Sequence, residues 1–161
     1  MKNKIKLLAI IVVIFTFINT NPLFSEEHSH NCHTHEIGVA IVSSYFLNDE
    51  ISSYGWHLHY LKSVDKTDFS IGIGYERILG EHSHNTLGFV FNYKPIENLS
   101  FNLMPGIAYR DGGFKHGEFA LHLETLYEVE IGGVHIGPIL EYAIDAHEDH
   151  FSFGIHIGIG L

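Results

Sequence analysis

The chain has 161 residues, with 9 Lys and Arg, 19 Asp and Glu, 14 His and one Cys, for a formal net charge of −10. That balance gives no basic footprint for nucleic acid and would draw cations instead. A lone cysteine excludes an intramolecular disulfide.

The first element in chain order reads as an export signal. Lys2, Lys4 and Lys6 form a basic start, Leu7 to Ile18 is an apolar run broken only by Thr16, and Asn19-Thr20-Asn21-Pro22 is polar. This is the order of a secretory signal peptide, with Ser25 as the small residue before cleavage, although Leu23 stands where a smaller residue is usual. The run is shorter than the ~20 residues that a membrane-spanning helix needs. Removing residues 1–25 leaves 136 residues with six basic and nineteen acidic side chains, a net charge of −13. Ser29-His30-Asn31 precedes Cys32, so no lipid attachment is expected there.

Residues 26–36 form a His-rich, flexible periplasmic tail, Glu26-Glu27-His28-Ser29-His30-Asn31-Cys32-His33-Thr34-His35-Glu36. Neutral imidazole and thiolate suit zinc and copper, and His28, His30, Cys32, His33 and His35 offer five such ligands. The alternative is a solvated polar leader.

From residue 37 to 161 the sequence alternates in short runs separated by turn-like clusters. Strands are expected at 37–47, 54–62, 68–79, 84–94, 98–110, 116–130, 133–145 and 150–161, near the ~9–11 residues of a tilted membrane-spanning strand. One face carries the large apolar side chains, for example Tyr54, Trp56, Leu58 and Tyr60, or Phe151, Phe153, Ile155, Ile157 and Ile159. The other carries Gly, His and Glu: Gly55, His57 and His59, or Ala120, His122, Glu124 and Glu128. A soluble sandwich or lipocalin-like barrel could bury the apolar face. Two features oppose that reading. Glycine is frequent on the polar face, as a crowded lumen requires, and eight strands enclose too little space for the aromatics of every strand. The expected fold is therefore all-β, a single eight-stranded antiparallel transmembrane barrel with its aromatics in lipid. If the N-terminus is periplasmic, Tyr45, Tyr54, Trp56, Tyr75, Tyr109 and Tyr142 form an outer girdle. Tyr60, Tyr93 and Tyr127 form an inner one.

Residues 36–161 resemble the small eight-stranded outer-membrane barrels, the group that includes the OmpA transmembrane domain and OmpX. The resemblance lies in architecture and in the amphipathic last strand, Phe151 to Leu161. Members of that group usually end in an aromatic residue read by the insertion machinery, and Leu161 departs from this. The resemblance implies export to the outer membrane of a diderm bacterium, with membrane lipids as partner. It transfers no catalytic residue.

Histidine then directs the functional reading. His82, His84, His116, His147 and His150 fall in three predicted extracellular loops on one rim, where with neighbouring acids they could hold a divalent cation. Ordinary polar loop chemistry is the alternative. His57, His59, His122, His135 and His156 face the lumen beside Glu76, Glu124, Glu128, Glu141 and Asp145, with Arg110 as the clearest inward cation. One Arg cannot neutralise five acids, so the imidazoles are protonated, water fills the space, or a metal sits there. A structural network is the alternative to a lumenal metal site. His150-Phe151-Ser152 has the spacing used by a lipid A deacylase, but no acid follows before Leu161, which argues against a triad. A passive pore is not expected, because eight strands leave little open lumen. The sequence thus reads as a non-enzymatic outer-membrane barrel binding zinc or copper through its tail and loops, or as a structural or interaction barrel with incidental histidine.

The tail can be tested as a peptide of residues 26–36 titrated with zinc and copper(II). Micromolar or tighter binding at pH 7.5 is expected, falling as protons claim the imidazoles below about pH 6.5. It should vanish when all four His are changed to Ala; equal affinity in both peptides makes the tail a spacer.

Overall fold

A computed structural model describes residues 34–110, 116–145 and 148–161. The strands are β1 (His35–Phe46), β2 (Ser52–Ser63), β3 (Phe69–Ile78), β4 (His84–Ile96), β5 (Leu99–Tyr109), β6 (Glu118–Tyr127), β7 (Val129–Ile131), β8 (Val134–Asp145) and β9 (His150–Gly160). All neighbours pair antiparallel in the order β6-β5-β4-β3-β2-β1-β9-β8-β7, and β6 also pairs with β8. The sheet therefore closes on itself. The expected strand 116–130 is divided at Glu128, yet Leu126↔Ile139 and Val129↔Ile136 keep one register, so β6 and β7 form a single wall of an eight-stranded barrel. At the closing seam β1 lies against β9, with His35 N–H donating to Leu161 O at 3.2 Å and Leu161 N–H to His35 O at 2.8 Å.

Period-two alternation governs burial. Along β9 every residue from Phe151 to Ile159 with an odd number is exposed, and every even-numbered one from His150 to Gly158 is buried. Exposed side chains form an apolar belt, with Ile41 at 72%, Phe89 at 69% and Phe119 at 67% exposure, and none of these could face water in so continuous a band without penalty. Tyr54, Trp56, Tyr60 and Tyr127 mark its borders, and paired rings such as Trp56–Tyr75 and Phe69–Tyr93 brace neighbouring strands at 5.2 and 4.9 Å. This is the inside-out pattern of a barrel solvated by lipid. No helix among the described residues is long and apolar enough to cross a membrane.

Glycine on the inner face answers to crowding. A Cβ at Gly88 would lie 2.6 Å from Pro105 O, on the opposite strand, where the register sets Gly88 against Gly106. Below these residues the bore is filled by Leu61, Val90 and Met104 on one side and by Ala40, Val42, Leu126 and Ile139 on the other. At the end bearing both chain ends of the barrel, β7 and β8 are joined by Gly132-Gly133 at φ 62° and 82°, the positive values that a two-residue hairpin demands. The opposite end carries the connections 47–51 and 79–83.

Phe89→Asp and Ile155→Asp place a carboxylate on the lipid face. Each should cost up to about 2–4 kcal/mol at mid-membrane and deplete the heat-modifiable, folded band on gels. If these variants assemble better than Gly88→Asp, the two faces are reversed.

Candidate metal centre

The bore takes its chemistry from the buried phase of each strand. His57 and His59 come from β2, Glu76 from β3, His84 from β4, His122 and Glu124 from β6, Glu141 and His135 from β8, and His150 and His156 from β9. Each is less than a tenth exposed, and among the described residues the buried polar and charged side chains include no Lys or Arg. Arg110, expected to point inward, is exposed instead. It shares the inward phase of Met104 and Ala108 but lies one residue beyond Tyr109, the last paired position of β5, so no neighbouring strand holds it in the bore. Compensation of the buried carboxylates therefore falls to imidazole.

Three tiers result. The middle tier is an ion network. His57 Nε2 lies 2.8 Å from Glu76 Oε2 and 3.1 Å from Glu141 Oε2, and its Nδ1 lies 3.4 Å from Glu124 Oε1. His122 Nδ1 meets Glu141 and stands 3.4 Å from Glu76 Oε2. Asn92 Nδ2 donates to Asn102 Oδ1, and Asn102 Nδ2 to Glu124 Oε2, each at 2.7 Å. Both nitrogens of His57 face carboxylates, so this ring has no lone pair turned toward an ion.

The loop-end tier is built differently. Glu76 Oε1 is 3.4 Å from His84 Nε2 and 4.0 Å from His150 Nε2, and Asp145 Oδ2 is 3.9 Å from His84 Nε2. His84 Nδ1–H donates to His82 O at 2.8 Å, which fixes the tautomer that turns the Nε2 lone pair into the cluster. Glu76 Oε1, His84 Nε2 and both nitrogens of His150 are buried without a hydrogen-bond partner. Zinc bonds of about 2.0–2.2 Å in a tetrahedron set ligands about 3.3–3.6 Å apart, so the observed spacings need only a small contraction. Phe46, 1% exposed, closes the tier from above, its ring 4.6 Å from that of His82 and 4.9 Å from that of His150.

At the rim, His82 bridges two acids through opposite ring nitrogens, Nε2 to Asp49 Oδ2 at 3.3 Å and Nδ1 to Glu148 Oε2 at 3.0 Å. Glu148 Oε1 also accepts the backbone N–H groups of Asn48 and Asp49 at 3.0 Å each. That geometry ties three loops together and cannot present both nitrogens to one ion.

The expected rim ligands thus separate. His84 and His150 open strands β4 and β9 and point into the bore, because strand pairing reaches them (Ile78↔His84, Phe46↔His150); they are not loop residues. His82 is half-buried in the β3–β4 turn, and His116 is exposed and joins none of the carboxylate clusters. His28, His30, Cys32, His33 and His147 lie outside the described residues. His35, at the start of β1, faces outward against Tyr60, its Nδ1 2.6 Å from the Tyr60 hydroxyl. Glu76 is the ligand that the loop reading missed; it lies mid-strand, and only the β3–β4 register brings it beneath His84.

The middle tier makes a prediction of its own. His122→Leu leaves Glu76 and Glu141 short of a partner in a buried site and should destabilise the barrel by about 3–5 kcal/mol. Urea unfolding in detergent micelles reads this. A loss below about 1 kcal/mol would mean that the network carries little charge.

No family model matches the sequence, and no curated protein matches it. Solved structures do resemble the fold. Ail, the attachment invasion locus protein of Yersinia pestis, aligns with a TM-score of 0.57 at 10% identity, covering 81% of this chain and 100% of its own. Neisserial surface protein A gives 0.55 at 9% identity, over 79% and 96%. A de novo designed transmembrane β-barrel gives 0.54 at 19% identity, over 79% and 96%. At such identities the likeness concerns the backbone alone, and it agrees with the closed ladder and the outward apolar belt: the chain has the fold of the small eight-stranded transmembrane β-barrels.

Proposed function

We propose that this chain is a non-enzymatic barrel of the outer membrane that binds a divalent transition metal, zinc or copper, at the loop end of its bore. Glu76, His84 and His150 are the ligands, with Asp145 in reach as a fourth. The observation that carries this reading is the set of buried, unpartnered ligand atoms converging from three strands. Leaving such groups unsatisfied costs about 1–3 kcal/mol apiece, and a cation satisfies them together. The tail of residues 26–36, rich in the same ligand types, is a further candidate binder. The lipid-facing belt and the signal-like pattern of residues 1–25 support export to the outer membrane.

A catalytic reading has less support. Ser152 is 1% exposed and its Oγ sits 2.8 Å from Ser44 Oγ, and His150 is fully buried, so neither reaches a lipid substrate from the barrel wall.

The test is elemental analysis of the full chain purified in detergent from outer-membrane fractions after zinc loading. The native protein should keep about one equivalent more zinc than the double variant His84→Ala/His150→Ala. Equal metal in two barrels with the same heat-modifiable migration would sink the proposal. Recovery of the native chain as a soluble periplasmic protein would sink the membrane assignment.

A further inference from the structure

The opposite end of the bore holds a third group of potential ligands, Glu36 on β1, His59 on β2 and His156 on β9, whose ligand atoms all lie within 4.8 Å of one another. The two rings stack with centroids 4.9 Å apart, and His59 Nε2 is 3.4 Å from Glu36 Oε1. His156 is 1% exposed. Its Nδ1 lies 2.5 Å from Glu128 Oε1, while its Nε2 is buried with no hydrogen-bond partner.

The Glu128 carboxyl lies behind Nδ1 of His156, which leaves Nε2 as the ring nitrogen without a hydrogen-bond partner, in the cluster with His59 and Glu36. A carboxylate behind an imidazole is the arrangement that orients histidine ligands on zinc and strengthens their basicity. The break between β6 and β7 falls on Glu128 itself. Its side chain stays in the bore, although the ladder pauses there.

Two glycines make the room. A Cβ on Gly38 would overlap Nε2 of both His59 and His156, and one on Gly158 would come within 3.1 Å of His156 Cε1 and 3.2 Å of Glu36 Oε1. Any side chain at these positions would fill the space onto which the ligand atoms open.

From the unpartnered Nε2, the carboxylate that orients it and the space kept by glycine, we infer that Glu36, His59 and His156 form a second transition-metal site, held in place by Glu128 as a positioning residue. It is separate from the loop-end site, with the His57–Glu76–Glu141 network between them. The site exists whether or not the loop-end reading holds.

Cobalt(II) titration of the full chain in detergent, read by its visible ligand-field absorption, tests this. The background carries His84→Ala and His150→Ala, and Ala at His28, His30, Cys32, His33 and His35, which removes the loop-end and tail ligands. This background should still bind about one equivalent. Adding His156→Ala should abolish the signal, and adding Glu128→Gln should weaken binding by about 10–100-fold, as loss of an orienting partner does. A folded background that binds no cobalt, or binding untouched by His156→Ala, overturns the inference. If that background does not assemble, anomalous scattering from zinc-soaked crystals of the native chain decides. Density between Glu36, His59 and His156 is expected, and its absence there overturns the inference while leaving the loop-end site to be judged on its own peak.

Discussion

The β1–β9 seam is the constraint on which everything else depends. In lipid no water is available to satisfy a backbone edge, so an antiparallel sheet survives there only by closing. Eleven paired positions, from Glu36↔Gly160 to Phe46↔His150, join the first strand to the last. Once the ladder is closed, period two assigns every second side chain to lipid and the rest to a bore of fixed width. Ile41 and Ile155 belong to one class, Val42 and Gly154 to the other, and a slip of one residue would exchange them all.

That width then dictates what the bore can contain. Eight strands leave space for one layer of side chains per level, and long side chains on one wall need glycine on another: Met104 fills the space where a Cβ on Gly74 would sit 2.5 Å from its sulfur. Polar atoms placed there must find partners within the same cross-section. With carboxylates from β3, β6 and β8 and no buried Lys or Arg among the described residues, the available partner is histidine. An imidazole is compact enough for this bore. It can also donate to a carboxylate through one nitrogen while keeping an acceptor lone pair on the other, which neither Lys nor Arg can do.

The fold was legible in the sequence because its signal is local. Alternation of Phe151, Phe153, Ile155 and Ile157 with Ser152, Gly154, His156 and Gly158 identifies strand and face together, and repeating it eight times implies closure. The lumenal histidines could be named for the same reason. The grouping of ligands was not legible, since it depends on stagger between strands. Glu76 joins His84 because Ile78 pairs with His84, and His156 meets Glu36 and His59 because β1 lies between β2 and β9. Grouping His84 and His150 with the rim loops failed: the expected strands 84–94 and 150–161 already begin at them, and pairing with Ile78 and Phe46 keeps both in their strands and turned into the bore. Arg110 failed in the opposite direction, with its phase correct but its strand ended.

What separates a structural histidine from a ligand in this bore is the acceptor behind Nδ1 and what remains in front of Nε2. His57 has Glu124 on one side and Glu76 with Glu141 on the other, so both nitrogens are spoken for and the ring serves as a bridge between acids. His84 has the carbonyl of His82 behind it, and His156 has Glu128; in each the far nitrogen is buried and unpartnered. Burying an unpaired acceptor is unfavourable by itself. At the loop end of the bore, near to water, the orphaned nitrogens of His84 and His150 stand 3.4 and 4.0 Å from Glu76 Oε1, whereas in the middle His57 Nε2, which also lacks a hydrogen bond, is held 2.8 and 3.1 Å from two carboxylates. This gradient follows from solvent access along the barrel axis. It explains how one residue type, supplied by five strands, can act as a bridge at the centre and as a ligand at either end.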